Sequence, residues 1–304
     1  MSLGSMGADS ADLDNDLLTD LFVTEMLPKS LKRKKTKAVY DSWDKHQLAV
    51  SKGYFYQYPR NVLQRNYGDS GFLEIGRYSG LAATEWSWAS MIFDMDNDGL
   101  RDIFIANGIF KDLLDRDYLA YMANKERISN LMKSGDEVIK KLIDIMPSNA
   151  VKNNIYKNNG AFNFTEFTDK WGFGTPSFSN GMAFGDLDND GDLDIIINNV
   201  NMKSFVYKNQ NNNKNSKSIS FTLKGINNNK NAIGAKLKIY YGKGKFSMSE
   251  QFPSRGFQSS ISNKIHFGVE DTDVIDSLII SWPNSQISKL FNLKTNKNLS
   301  LIHI

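Results

Sequence analysis

The 304-residue chain contains no cysteine, which removes disulfides, zinc-thiolate sites and thiol catalysis together. Histidine is nearly as scarce, and His46, His266 and His303 stand far apart in the sequence. There is no GxSxG elbow, no phosphate-cradling glycine loop and no HExxH pair, so catalysis finds little footing. His266 precedes an apolar residue and reads as a packed structural histidine. No apolar run reaches the roughly eighteen residues that a membrane-spanning helix needs. The N-terminal region also lacks the apolar core of a signal peptide. A strong charge of either sign is missing as well, because 37 basic and 34 acidic residues leave a formal net charge of +3.

What is plentiful is aspartate in a fixed pattern. Asp94 to Asp102 reads D-x-D-x-D-G-x-x-D, Asp186 to Asp194 repeats it as DLDNDGDLD, and Asp12 to Asp20 gives a weaker copy, DLDNDLLTD. Carboxylates at positions 1, 3, 5 and 9 of a tight loop, with a backbone carbonyl at position 7, converge on one hard cation through oxygen alone. The expected ligands are Asp94, Asp96, Asp98, the Leu100 carbonyl and Asp102; Asp186, Asp188, Asp190, the Asp192 carbonyl and Asp194; and Asp12, Asp14, Asp16, the Leu18 carbonyl and Asp20. Calcium (Ca2+) fits that donor set best, in a role that stabilises the fold. Carboxylates turned toward one point repel unless a cation lies between them, so an ion-free loop is expected to be disordered. Gly99 and Gly191 fill position 6, where the turn disfavours a side chain, and Leu17 in that place marks the first loop as the poorest site.

These loops are not EF-hands. Position 12, where an EF-hand supplies a bidentate glutamate, holds Val23, Ile105 and Ile197. Each loop runs directly into an apolar, β-branched segment rather than an amphipathic helix, so each is expected to join two strands. The repeat also extends beyond the loop. Residues 61–107 laid over 153–199 at a constant offset of 92 agree at sixteen of forty-seven positions, among them Asn61, Asn66, Gly68, Phe72, Glu74, Gly80 and Ser87. The shared frame holds four short strands per unit, the size of a propeller blade.

On these residues the chain resembles the FG-GAP or VCBS repeats of calcium-binding β-propellers, including the integrin α-subunit head, with Ala183-Phe184-Gly185-Asp186 close to the FG-GAP core. Its last part resembles the ASPIC/UnbV domain that follows such repeats in the cartilage acidic protein family. That likeness rests on Asn231-Ala232-Ile233-Gly234-Ala235, Arg255-Gly256-Phe257, His266-Phe267-Gly268 and Trp282-Pro283-Asn284. The expected fold is mainly β, a partial propeller over residues 1–210 followed by a small all-β domain over 216–304, and 40% hydrophobic residues suffice for two cores. Repeat units are expected to end near residue 28 and to span 61–108 and 153–209. Residues 1–11 replace the strand expected before the first loop and read as a leader or a truncated start.

Between the units, residues 110–148 change to a helical period. Two helices are expected, over 112–132 and 136–146, broken at Ser134-Gly135, stopped by Pro147 and packed on the adjacent blades. The six basic residues within Lys29 to Lys37 read as a solvated linker rather than a nucleic-acid site, and Lys208 to Asn231 as an interdomain linker with a hairpin tip. Tyr54, Tyr56 and Tyr58 alternate in one segment and Trp86 and Trp88 in another, so each set faces one side and is a candidate for contact with a glycan or a protein. The resemblance implies an extracellular or cell-surface module for recognition or adhesion, calcium-bound and non-catalytic. The rival is a hydrolase or lyase that borrows a propeller-bound calcium as Lewis acid.

Overall fold

Short apolar strands with two-residue alternation decide the architecture. In the computed structural model, which describes residues 1–37, 42–133, 137–211 and 215–303, 38% of the chain is strand and 15% helix. The first sheet is β1 (Ala8–Ala11), β2 (Asp20–Val23), β3 (Val62–Asn66) and β4 (Phe72–Glu74), antiparallel and in sequence order. The second repeats the plan with β5 (Ser87–Phe93), β6 (Asp102–Asn107), β7 (Asn154–Asn158) and β8 (Phe164–Glu166). The third has three strands among the described residues, β9 (Ser179–Gly185), β10 (Asp194–Asn199) and β11 (Phe205–Tyr207). Every acidic loop therefore joins the first two strands of a blade.

The middle blade is buried on both faces. Met91, Phe93 and Phe104 pack toward Met182, Ile195 and Ile197 of the third sheet, while their neighbours Ile92, Ile103 and Ile105 pack toward Phe22 and Leu63 of the first. Each such side chain contributes about 1.5–3 kcal/mol through removal from water.

Two further sheets complete a five-blade propeller arrangement. They are formed by β12 (Ser218–Lys224), β13 (Lys236–Tyr241), β14 (Lys245–Glu250), β17 (Lys264–Gly268), β18 (Val274–Ser281), β19 (Ile287–Lys294) and β20 (Lys297–Ile302), in the orders β17-β12-β20 and β14-β13-β18-β19. Phe221, Phe267, Leu237, Ile239, Leu278 and Ile280 place one common core between these two sheets. A small arm, β15 (Ser254–Arg255) with β16 (Ser259–Ser260), leaves this unit and reaches the blades. Gly256 exchanges backbone hydrogen bonds with Ala8 at 3.1 and 3.3 Å, and Met182 donates its N–H to Ser259 Oγ at 3.1 Å.

Several expectations need correction. The strand before the first loop is present as β1, tied to the arm. The sequence repeat is out of phase with the blade: β3 to β6 match β7 to β10 at the offset of 92, yet β3 and β4 pair with β2 while β5 and β6 begin the next sheet. The inserted helices consequently lie within blades, between second and third strands. The first blade holds α1 (Leu31–Lys37) and α2 (Trp43–Ser51) there, and the second holds α3 (Arg116–Ala123), α4 (Lys125–Met132) and α5 (Val138–Ile145). The helix expected over 112–132 is two helices, because Asn124 is extended and caps α4 by accepting from Arg127 N–H at 3.0 Å. The expected break at Ser134-Gly135 lies outside the described residues. Among the described residues the apolar faces of α3, α4 and α5 stay largely uncovered: Leu119, Met132, Ile139, Ile143 and Ile145 are exposed and Tyr118 alone on these helices is buried. The basic run is not an open linker, since α1 occupies most of it and Lys29, Arg33 and Lys37 pair with Glu166, Glu85 and Asp115.

Candidate metal centre

Each acidic loop is shaped by its own backbone. Asn15, Asn97 and Asn189 at position 4 and Leu17, Gly99 and Gly191 at position 6 all have left-handed backbones, with φ between 56° and 94°. The position 9 carboxylate closes the loop from below. Asp20, Asp102 and Asp194 each accept the N–H of the position 2 residue (Leu13, Met95, Leu187) at 3.0 Å. Their other oxygens accept the N–H of Asn66, Asn158 and Asn209 at 2.9, 2.9 and 2.8 Å. At position 5, Asp16, Asp98 and Asp190 accept from the residue two further on at 2.8, 2.9 and 3.0 Å. Hydrogen bonds within each loop and to the end of the third strand thus fix the path of the turn.

Three carboxylates converge in each loop: Asp12, Asp14 and Asp20; Asp94, Asp96 and Asp102; Asp186, Asp188 and Asp190, with ligand atoms within 4.8 Å of one another. Asp16, Asp98 and Asp194 stand outside those triplets. The carbonyls of Leu18, Leu100 and Asp192 follow the left-handed turn as position 7. One oxygen in every cluster, Oδ1 of Asp14, Asp96 and Asp186, is buried without a hydrogen-bond partner. The side chains of Asp14 and Asp186 are only 9% and 7% exposed. A buried acceptor left unpaired costs roughly 1–3 kcal/mol, and a hard cation satisfies it. An all-oxygen donor set with an unpaired carboxylate oxygen in each copy fits calcium.

Electrostatics agree with that fit. Burial first, and then the neighbouring carboxylates, push Asp94 and Asp102 well above the usual carboxylate range and Asp20 up to about 7. Asp12, Asp14 and Asp96 are raised for the same first reason. Groups that resist ionisation in isolation become ligands when a divalent charge offsets the cost.

Two kinds of functional residue were not singled out from sequence. Arg65, Lys157 and Lys208 reach the position 3 carboxylates from the third strand of each blade or its end. Arg65 and Lys157 occupy the same place in the repeat, where exchange of one basic residue for the other hides the correspondence. The asparagine that follows Lys157 and the one that follows Lys208 also bridge loops, whereas Asn66 after Arg65 donates only to Thr19 O of its own loop at 3.0 Å. Asn158 Nδ2 donates to the carbonyls of Leu13 and Arg101 at 2.8 and 3.0 Å, and Asn209 Nδ2 to those of Met95 and Leu193 at 2.7 and 3.3 Å. The loops also bond to each other directly, Asn15 Nδ2 to Gly99 O at 3.1 Å and Asn97 Nδ2 to Asp192 Oδ1 at 2.6 Å.

The C-terminal unit rests on these loops. A Cβ at Gly268 would lie 2.1 Å from Asp94 Oδ2, so only glycine lets the strand approach. His266 Nε2 lies 3.0 Å from Gly191 O, and enclosure pushes its imidazole down to about 4, so it is a neutral structural group at physiological pH. The aromatic candidates separate. Tyr54, Tyr56 and Tyr58 are exposed, and Tyr56 and Tyr58 flank His46 at 5.9 and 6.0 Å, with Trp43 on it at 5.7 Å. Trp86 and Trp88 are half-buried and 6.2 Å apart, and Trp88 packs on Phe257 at 4.9 Å while its indole donates to Gly108 O.

Comparison with known families gives two matches. The family model described as FG-GAP-like repeat matches residues 142–197, which run from α5 through β7 to β10. That described as ASPIC and UnbV matches residues 225–304. No curated protein matches the chain. No helix among the described residues is long and apolar enough to cross a membrane. The chain thus joins a stretch similar to an FG-GAP-like repeat to a stretch similar to an ASPIC and UnbV domain within a five-blade propeller arrangement, a pairing that fits a module of the recognition or adhesion type.

Proposed function

We propose that the chain is a calcium-binding, non-catalytic recognition module acting outside the cell or at its surface, with a glycan or a protein as its ligand. The observation that carries the calcium reading is the threefold recurrence of an oxygen-only cluster containing an unpartnered carboxylate oxygen. Without cysteine, a protein exposed to an oxidising environment needs another cross-link, and bound calcium supplies one. Ligand contact is assigned first to Tyr54, Tyr56 and Tyr58, which stay exposed even where His46 packs on the last two. Trp86 and Trp88 are the secondary candidates because packing already engages them.

Calcium binds folded loops that the unfolded chain lacks, so a hundredfold excess over Kd stabilises by about 2.7 kcal/mol per site. Chelated protein should therefore melt higher on addition of calcium and much less so with magnesium, which demands a tighter octahedral shell. An unchanged midpoint at millimolar calcium refutes the reading. In calcium, glycan and peptide arrays should give binding that Tyr56→Ala abolishes without lowering the melting point. Metal-dependent turnover that Asp190→Asn removes while the fold survives would replace the non-catalytic reading with an enzymatic one.

A further inference from the structure

Three basic side chains stand in equivalent places beside the acidic loops. Arg65 lies on β3, Lys157 on β7 and Lys208 directly after β11. Arg65 Nη2 is 2.8 Å from Asp14 Oδ2. Lys157 Nζ bonds Asp96 Oδ2 and lies 2.6 Å from Asp98 Oδ2. Lys208 Nζ bonds Asp188 Oδ2 and lies 3.6 Å from Asp190 Oδ2. In the second and third loops one ammonium thus bridges positions 3 and 5, the same pair that a cation in the loop must share.

The second loop shows the consequence in its shape. Asp94, Asp96 and Asp102 converge, whereas Asp98 has one oxygen on Leu100 N–H at 2.9 Å and the other on Lys157. Completing the cation's shell with Asp98 means taking Oδ2 from the lysine. The ammonium also places a positive charge within a few ångströms of the ion, which is unfavourable in a partly buried site.

We propose that Arg65, Lys157 and Lys208 are tethered counter-ions that compete with calcium for the position 3 and position 5 carboxylates and so set the affinity of each loop. This rests on the calcium reading above. The basic residue holds the loop together when calcium is scarce, and its displacement raises the calcium concentration at which the loop fills. Strength of competition follows exposure. Lys157 is 19% exposed and bonds two carboxylates, so it acts strongly, whereas Lys208 at 57% is screened by water.

The test is calorimetric titration of the chelator-stripped full chain with calcium. Lys157→Met should tighten one site about tenfold, while Lys208→Met tightens its own by no more than about threefold. Lys157→Arg, which keeps the charge, should stay close to wild type. Melting in chelator should show Lys157→Met lowered, because the loop has lost its counter-ion. A Lys157→Met protein that binds calcium equally or more weakly overturns the proposal and makes the lysine a positioning group. If Lys157→Met does not fold, Lys208→Met on the surface decides alone, with equal or weaker binding again overturning the proposal. Absence of calcium uptake by the wild-type chain overturns the calcium reading itself, a separate failure visible before any variant is made.

Discussion

Arg255→Met probes the contact between the C-terminal domain and the blades. Arg255 Nε donates to Asp9 Oδ1 at 2.8 Å and Nη2 to Asp9 Oδ2 at 2.9 Å, and Nη2 also lies 3.3 Å from the carbonyls of Ser10 and Ile92. The two side chains are 8% and 0% exposed. Burial pushes the Asp9 carboxyl up even though the guanidinium pulls it down. Methionine retains part of the packing on Phe252 and Phe184 but leaves the carboxylate with only the N–H groups of Ile92 and Ser10. Breaking a buried pair from one side costs about 3–5 kcal/mol, whereas the exposed pair of Lys236 and Glu250 is worth at most about 1 kcal/mol. Urea unfolding of the calcium-loaded protein, followed by tryptophan fluorescence, should therefore show a large loss for Arg255→Met and a small one for Lys236→Met. Asp9→Asn combined with Arg255→Met removes both charges, so the double variant should lose clearly less than the sum of the single losses. A loss below about 1 kcal/mol for Arg255→Met, or strictly additive losses, refutes the view that this buried pair fastens the domains.

Other outcomes follow from the loops. Leu17 adopts a φ of 70° that glycine takes freely, so Leu17→Gly should raise the melting point in calcium, by up to about 1 kcal/mol of stability; a fall shows that its side chain matters more than its backbone. Asp96→Ala and Asp188→Ala should lower the calcium-loaded melting point more than Asp14→Ala, and equal losses would remove the ranking of the first loop as poorest. The pH dependence has a definite sign. A carboxyl such as Asp20, at about 7 when folded against 3.8 in its ordinary state, binds more protons in the folded, chelated protein, so that protein loses stability as pH rises from about 4 to about 7. Calcium requires the ionised form, so its increment in melting temperature should grow between pH 5 and pH 8, and a constant increment contradicts this.

The acidic loops were legible because a metal-binding turn constrains residue type at nearly every position, from Asp94 to Asp102 and again from Asp186 to Asp194. The offset of 92 located β3 to β6 against β7 to β10 for a related reason: strands that repeat must repeat their spacing. Its phase was not legible, since a periodic sequence reads the same from any starting point and only backbone pairing shows which strands share a sheet. Ala8–Ala11 gave no sign of β1, as Ala-Asp-Ser-Ala has no strand propensity of its own and is held by partners as distant as Arg255. The helical insertion misled in the opposite direction. Apolar residues at helical spacing on α5 implied a packed face, yet Ile139 is 73% exposed.

The half-unit shift between repeat and blade makes the covalent chain a row of stitches. Each copy starts with the last two strands of one sheet and ends with the first two of the next, so peptide bonds cross both seams between the first three sheets. Tandem duplication of such a copy inserts a whole sheet that is already sewn to both neighbours, and no join depends on side chains alone. Lengthening by copying is therefore mechanically conservative, and a protein built this way can change its number of sheets without redesigning a single seam.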